Sequence, residues 1–320
     1  MTQTQILYIC LGFLLFSLLF YLFSVVFASY CVYIKTLKRP SKEKWGRDGP
    51  SDTSEAYLKI DAEGMAWHKA NADKKIDVHI VRDGYNLYGE YYDFGSDKCA
   101  IILSGRTESL RYGYYFAQPY AAAGLNILVV DPRAHGLSDG EFNTLGFEES
   151  KDDLAWVKHL HEKFGVKAFV FHGLCIGAAG GMLAITSDDC PDYVAGLVTE
   201  GMFPCFRESM RNHLIERKRM MFPFLQCIDF WAKRYTGHKM NKGPINVIHK
   251  MHKPLLMLHS KEDRYSKPHF AQIMYDICPS TEKKLRWFET GRHSMLRPTH
   301  KEDYDREITE YLKRISMIES

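Results

Sequence analysis

The chain has 320 residues, 46% of them apolar and 25% charged, and a formal net charge of +3. Such a length suits one large core with an appendage, and such a composition is that of a folded globular chain. The small net charge calls for no nucleic-acid partner, and no nucleic-acid-binding signature is present. Eight cysteines stand singly, without a C-x-x-C pair or Cys/His zinc spacing, so neither a disulfide framework nor a metal site is expected. Nothing in the patterns asks for a cofactor.

The first 34 residues carry no charged side chain. Residues 6–34 are rich in Leu, Phe, Tyr and Val and hold no proline. That stretch exceeds the roughly 20 residues needed to cross hydrocarbon. A cleaved signal peptide is the competing reading, but it wants a basic start and a short apolar region, and neither is present. Residues 1–34 are therefore expected to form an uncleaved transmembrane anchor. Lys35, Lys38, Arg39, Lys42, Lys44 and Arg47 follow it, so the positive-inside rule puts the body in the cytoplasm. Tyr8, Tyr21, Tyr30 and Tyr33 are candidate interfacial anchors. Residues 35–72 read as a juxtamembrane linker with Pro40, Gly46, Gly49 and Pro50, leading into a short helix over 56–72.

The body, residues 73–320, opens with two alternating stretches, 75–82 and 87–92, around Asp83-Gly84, which predict a β-hairpin. Continuous apolar runs at 99–104 and 126–131 read as strands buried on both faces. Helical spacing covers 110–123 and 147–164. A third buried strand leads into Gly173-Leu-Cys-Ile-Gly177, followed by a helix to about Thr186. Further strands are expected at 193–199, 254–259 and 284–288, with helices near 267–277 and 301–315. Strands alternating with helices imply right-handed crossovers and a mostly parallel sheet of about eight strands, with helices on both faces. A dinucleotide-binding fold is unsupported, because no G-x-G-x-x-G follows the first strand.

In an open parallel sheet, reactive groups collect beyond the carboxyl ends of the strands. Those ends carry Arg106 and Glu108, then Arg133 and His135, then Cys175, Glu200, Asp263 and His293. Cys175 lies on a strand-to-helix turn where many hydrolases carry G-x-S-x-G; glycines suit its strained backbone and close helix packing. A buried, inert thiol is the plain alternative. A thiol nucleophile needs a base, and the base needs an orienting carboxylate. Cys175, Asp263 and His293 occur in the order nucleophile, acid, base, and the dipole of the helix after Cys175 favours thiolate. Glu200 is the alternative acid. His135 suits a structural tie of its loop better than a second base, His172 and Glu108 suit support, and the remaining cysteines default to packing.

Four stretches carry a resemblance. Asp131-Pro-Arg-Ala-His-Gly-Leu-Ser-Asp-Gly140, the elbow 173–177, Ser260-Lys-Glu-Asp263 and Gly291-Arg-His293 resemble, in order, the motifs of the α/β-hydrolase superfamily. The match is to its serine-aminopeptidase-like or monoacylglycerol-lipase-like group. It covers about residues 76–315. The group's usual nucleophile is serine; cysteine occurs in dienelactone hydrolases and in bile-acid-CoA amino-acid N-acyltransferases, which resemble this fold. The oxyanion strand reads Ser104-Gly105-Arg106 where the group often has His-Gly. The resemblance implies that the N–H groups of Arg106 and Ile176 bind a developing oxyanion. It also implies that residues 201–252 are a small helical cap. The cap holds Met202, Phe203, Phe206, Met210, Met220, Met221, Phe222, Phe224, Phe230 and Trp231, which line an acyl pocket on one reading and pack the cap on the other. Arg217-Lys218-Arg219 suits anionic lipid headgroups or, more simply, solvent.

The expected function is a membrane-anchored hydrolase of carboxylic esters or thioesters, acting on a small-molecule or lipid acyl substrate through a covalent acyl-enzyme. An acyltransferase using the same three residues and a non-catalytic binding protein on the same scaffold are the alternatives.

Overall fold

The computed structural model describes residues 1–39, 49 and 53–319. Most of the expected linker, with Lys42, Lys44 and Arg47, lies outside the described residues. The N-terminal stretch is one 35-residue helix, α1 (Gln3–Leu37), capped by Thr2, whose hydroxyl accepts from the Gln5 N–H. It is long and apolar enough to cross a membrane, with a mean hydropathy of 2.6 over its most apolar window. It runs three residues beyond the expected boundary, because its last turns are packed rather than free. Val25, Ser29, Tyr33 and Leu37 recur every four residues along one stripe, and all four are buried.

Helix α2 (Glu55–Ala70) precedes the hairpin of β1 (Lys75–Arg82) and β2 (Tyr85–Tyr92). The chain then alternates as expected: β3 (Lys98–Leu103), α3 (Leu110–Ala122), β4 (Asn126–Val130), α4 (Phe147–Phe164), β5 (Ala168–Leu174), α5 (Ile176–Ile185) and β6 (Val194–Glu200). The cap supplies α6 (Phe206–Glu216) and α7 (Phe224–Thr236). The last elements are β7 (Leu255–Ser260), α8 (Pro268–Ile277), β8 (Lys283–Phe288), α9 (Leu296–Thr299) and α10 (Lys301–Arg314).

The eight strands form one sheet in the order β1-β2-β4-β3-β5-β6-β7-β8. β2 pairs antiparallel with both β1 and β4, and the pairs from β4 to β8 are parallel. The two-residue side-chain period explains why the central strands lack a polar face. On β3, Ala100 and Ile102 join α3 and α10 in one core, while Cys99, Ile101 and Leu103 join α4, α5 and α8 in the other. Each such Ile or Leu contributes about 1.5–3 kcal/mol by leaving water. The two cores hold the sheet rigid, and Cys175, Asp263 and His293 follow the carboxyl ends of its strands β5, β7 and β8.

A third core lies above the sheet edge. It joins Tyr33 and Leu37 of α1 to Phe203, Phe206, Phe224 and Ile228 of the cap and to Ile176 and Ala179 of α5. This placement corrects the reading of Tyr33 as an interfacial anchor. Tyr33 is fully buried and stacks on Phe142 and Tyr235, and Tyr30 packs edge-on against Trp231. Stacked aromatic partners hold the Tyr33 ring, and the cap supplies one of them in Tyr235.

Candidate active site

The elbow after β5 is strained in the way its sequence implies. Cys175 has φ +53° and ψ −109°, a conformation costly for a residue with a Cβ. Its flanking glycines are required by contact. A Cβ on Gly173 would lie 2.5 Å from the Ala178 Cα, and one on Gly177 would lie 2.1 Å from the Leu103 carbonyl oxygen. Only hydrogen fits at either position, so α5 starts hard against the ends of β3 and β5 and presents Cys175 at the sheet edge. The thiol is half-buried.

Asp263 and His293 meet on neighbouring loops. The His293 Nδ1–H donates to Asp263 Oδ2 at 2.7 Å, while Asp263 Oδ1 accepts the N–H groups of Tyr265 and Ser266, each at 2.8 Å. An Asp whose oxygen takes amides two and three residues onward is a local turn, legible in principle from Asp263-Arg-Tyr-Ser266. The two loops are joined from both sides: Ser260 Oγ–H donates to the Gly291 carbonyl at 2.5 Å, and the Gly291 N–H donates to Glu262 at 3.2 Å.

Burial pushes the Asp263 carboxyl up, but the His293 ring outweighs it and holds the acid below its ordinary range. Burial likewise disfavours charge on His293, yet Asp263 first and Cys175 second hold its pKa well above the ordinary value. The Cys175 sulfur is therefore within electrostatic reach of the ring.

Glu200, the alternative acid, is fully buried and does not hold His293. Its Oε1 accepts the Leu296 N–H at 2.9 Å, and burial raises its pKa to about 7.

The loop after β3 lies against Cys175. A Cβ on Gly105 would stand 3.7 Å from the Cys175 Cβ. Among the described residues, no hydrogen bond uses the N–H of Arg106 or of Ile176. The loop is held by His135, whose Nδ1–H donates to the Arg133 carbonyl at 2.8 Å and whose Nε2 accepts the Thr107 N–H at 3.2 Å. Burial lowers the His135 pKa to about 4, so it is a neutral strut, as its structural reading expects. His172 lies deeper, between the hydroxyls of Tyr120 at 3.0 Å and Tyr304 at 2.9 Å, and supports the core under Glu200. Glu108 is buried just beyond the loop.

Three features escaped sequence reasoning. Gly201, at φ +61°, leaves room for the His293 ring. Tyr265 meets that ring edge-on, with centroids 5.8 Å apart, and carries His213 of the cap stacked on its own face at 3.9 Å. The Arg106 side chain turns away from the sheet to donate through Nη1 to the Thr36 carbonyl at 3.2 Å, at the end of α1. None has a local sequence signal, since each depends on a segment far along the chain. The cap aromatics divide. Met202, Phe203, Phe206, Met210 and Phe224 pack it to the body, while Met220, Phe222 and Phe230 stand exposed.

No protein-family model matches the chain. A relative in Bacillus subtilis (strain 168), the uncharacterized protein YqkD, is 27% identical over 237 residues, covering 73% of this chain and 77% of the relative. Among solved structures, the Pyrococcus furiosus esterase Pf2001 matches with a TM-score of 0.66 at 23% identity, over 77% of this chain and 93% of that one. An alpha-beta hydrolase from Vibrio vulnificus matches at 0.59 and 17% identity, over 81% of this chain and 91% of that one. The esterase EaEST from Exiguobacterium antarcticum matches at 0.55 and 16%, over 74% of this chain and 100% of that one. With the sheet order, the antiparallel β2 and the elbow after β5, these likenesses establish that the chain has the α/β-hydrolase fold.

Proposed function

We propose that this protein hydrolyses carboxylic esters or thioesters through Cys175, with His293 as base and Asp263 as the group that orients it. The observation that carries the reading is the convergence of a strained elbow cysteine with an Asp263-bonded His293 at the carboxyl edge of the sheet. The Cys175 proton passes to His293, and the sulfur attacks the substrate carbonyl carbon. The developing oxyanion takes hydrogen bonds from the Arg106 and Ile176 amides. As the tetrahedral intermediate collapses, the carbon–oxygen or carbon–sulfur bond breaks, and the leaving group takes the proton from His293. The acyl group now sits on sulfur as a thioester. Water, giving its proton to His293, attacks that carbonyl, and the carboxylic acid leaves as the thiol re-forms. Solved esterases of the same fold support the ester class.

α1 is read as an uncleaved anchor with the hydrolase body on the cytoplasmic side. Removing the helix would take Tyr33 and Leu37 with it and uncover the cap residues they cover, which favours retention over cleavage.

The test is a panel of short-chain esters and thioesters offered to the wild type and to Cys175→Ala, with iodoacetamide labelling read by peptide mass. Turnover and labelling of the 175 peptide vanish together if the reading holds. Undiminished turnover by Cys175→Ala would end it.

A further inference from the structure

Three large apolar side chains of the cap lie in the open at one end of it. Met220 is 52%, Phe222 73% and Phe230 60% exposed. Scattered exposed apolar residues are ordinary, but these three stand on α7 or in the segment just before it, and α7 runs alongside α1. The Trp231 Nε1–H donates to Ser29 Oγ at 3.1 Å, and Tyr235 stacks on Tyr33 with centroids 5.5 Å apart. Farther out, the Tyr21 hydroxyl donates to the Met220 sulfur at 3.4 Å.

That last contact sets a depth. Tyr21 precedes Leu37 by about 24 Å of helix at 1.5 Å rise per residue. A hydrocarbon core needs about 20 residues of helix. Every span of that size within α1, from 3–22 to 18–37, includes Tyr21, and the earliest places it near the cytoplasmic end of the span. Met220 therefore stands at the hydrocarbon edge or inside it whenever α1 spans a bilayer. The three residues before it, Arg217, Lys218 and Arg219, are all exposed cations, and long basic side chains reach back to phosphates while their neighbours enter the acyl region.

We propose that the cap tip, residues 217–222 with Phe230, is seated in the anionic leaflet beside α1, its cations on lipid headgroups and its apolar side chains among the acyl chains. The inference rests on the membrane-anchored reading and names the substrate class as acyl esters resident in the bilayer. Phe224 and Phe203 of the cap share one buried apolar core with Ile176, next to Cys175, and an acyl chain entering at the tip would reach the sulfur by parting that core, without crossing water.

The test uses the full chain in vesicles of phosphatidylcholine and phosphatidylglycerol with brominated acyl chains. Phe222→Trp reports the cap tip and Phe13→Trp reports α1. The expected result is that bromines quench about half of the emission added by either substitution, as they do for side chains at the acyl boundary. Quenching at position 13 but not 222, with iodide in the water quenching 222, overturns the seat and leaves the anchor standing. No bromine quenching at either position overturns both. In a second arm, Phe222→Ser combined with Met220→Ser is expected to slow hydrolysis of a long-chain ester embedded in the vesicle by about tenfold, with a water-soluble short-chain ester unaffected. Equal turnover of the embedded ester by variant and wild type overturns the proposed access route.

Discussion

Gly201 lies directly against the His293 ring: a Cβ at that glycine would stand 3.0 Å from both Cε1 and Nδ1, and 3.4 Å from Asp263 Oδ2. The hydrogen on its Cα is what lets the imidazole meet its carboxylate. Gly201→Ala would have to displace that ring and also hold a positive φ, which costs about 1–2 kcal/mol for an L side chain. We expect a modest fall in melting temperature and a loss of kcat of tenfold or more, because an ångström of misplacement at a base is costly. Thermal unfolding followed beside ester turnover separates the two, and unchanged kcat would refute the positioning role.

Asp263→Asn tests the carboxylate itself. The amide occupies the same volume but removes the negative charge opposite the Nδ1–H of His293. A fall in kcat/KM of roughly a thousandfold or more is expected, with the fold retained. Glu200→Gln, its counterpart at the alternative acid, should lose less than tenfold, since Glu200 bonds the Leu296 amide and not His293. The reverse ranking, measured with one ester substrate, would transfer the acid's role to Glu200.

Glu200 also gives the stability of the domain a pH dependence with a definite sign. Its folded pKa is raised to about 7 by burial, above an unfolded value of 4.5. The folded state thus holds a proton that the unfolded state releases between those values. Stability from this group is full below pH 4.5 and is lost as pH rises through about 7. Glu200→Gln cannot ionise and keeps an acceptor for Leu296. Its melting temperature relative to wild type should rise between pH 5 and pH 8 by a margin on the order of 2–3 kcal/mol of linkage. A difference flat with pH would mean that Glu200 is already ionised in the folded protein.

The end of α1 is built into the α/β-hydrolase-fold body as well as projecting from it. Thr36 accepts from Arg106, Leu37 accepts from the Asn143 N–H at 2.8 Å, and Arg39 donates to the Ser138 carbonyl at 2.8 Å. Truncation at residue 20 should leave a folded, active domain, because nothing before Tyr21 is buried. Truncation at residue 39 should strip the cover from the third core and release Arg106, giving aggregation or loss of turnover. Limited proteolysis and activity of the two products in detergent check this, and full activity of the shorter one would show that α1 only tethers.

Much of the architecture was legible because it rests on local periods. Apolar runs over 99–104 and 126–131 have no polar face, so they had to lie between two layers, and both are central strands. Gly173 and Gly177 announced a turn too tight for side chains. The order Cys175, Asp263, His293 pointed to the strand ends that converge. What stayed hidden depends on contacts between segments distant in the chain. Glu200 and Asp263 both follow a parallel strand, and only the packing of the loop after β8 decides which carboxylate reaches His293. The tyrosines of α1 look the same in sequence whether they face lipid or protein, and only the approach of Tyr235 on α7 and of Phe142 determines that Tyr33 is buried. The cap aromatics are equally apolar along the chain; the path of α6 and α7 buries Phe203 and leaves Phe222 exposed. Local periodicity sets which residues share a face, whereas the partner of that face is a tertiary choice made by burial.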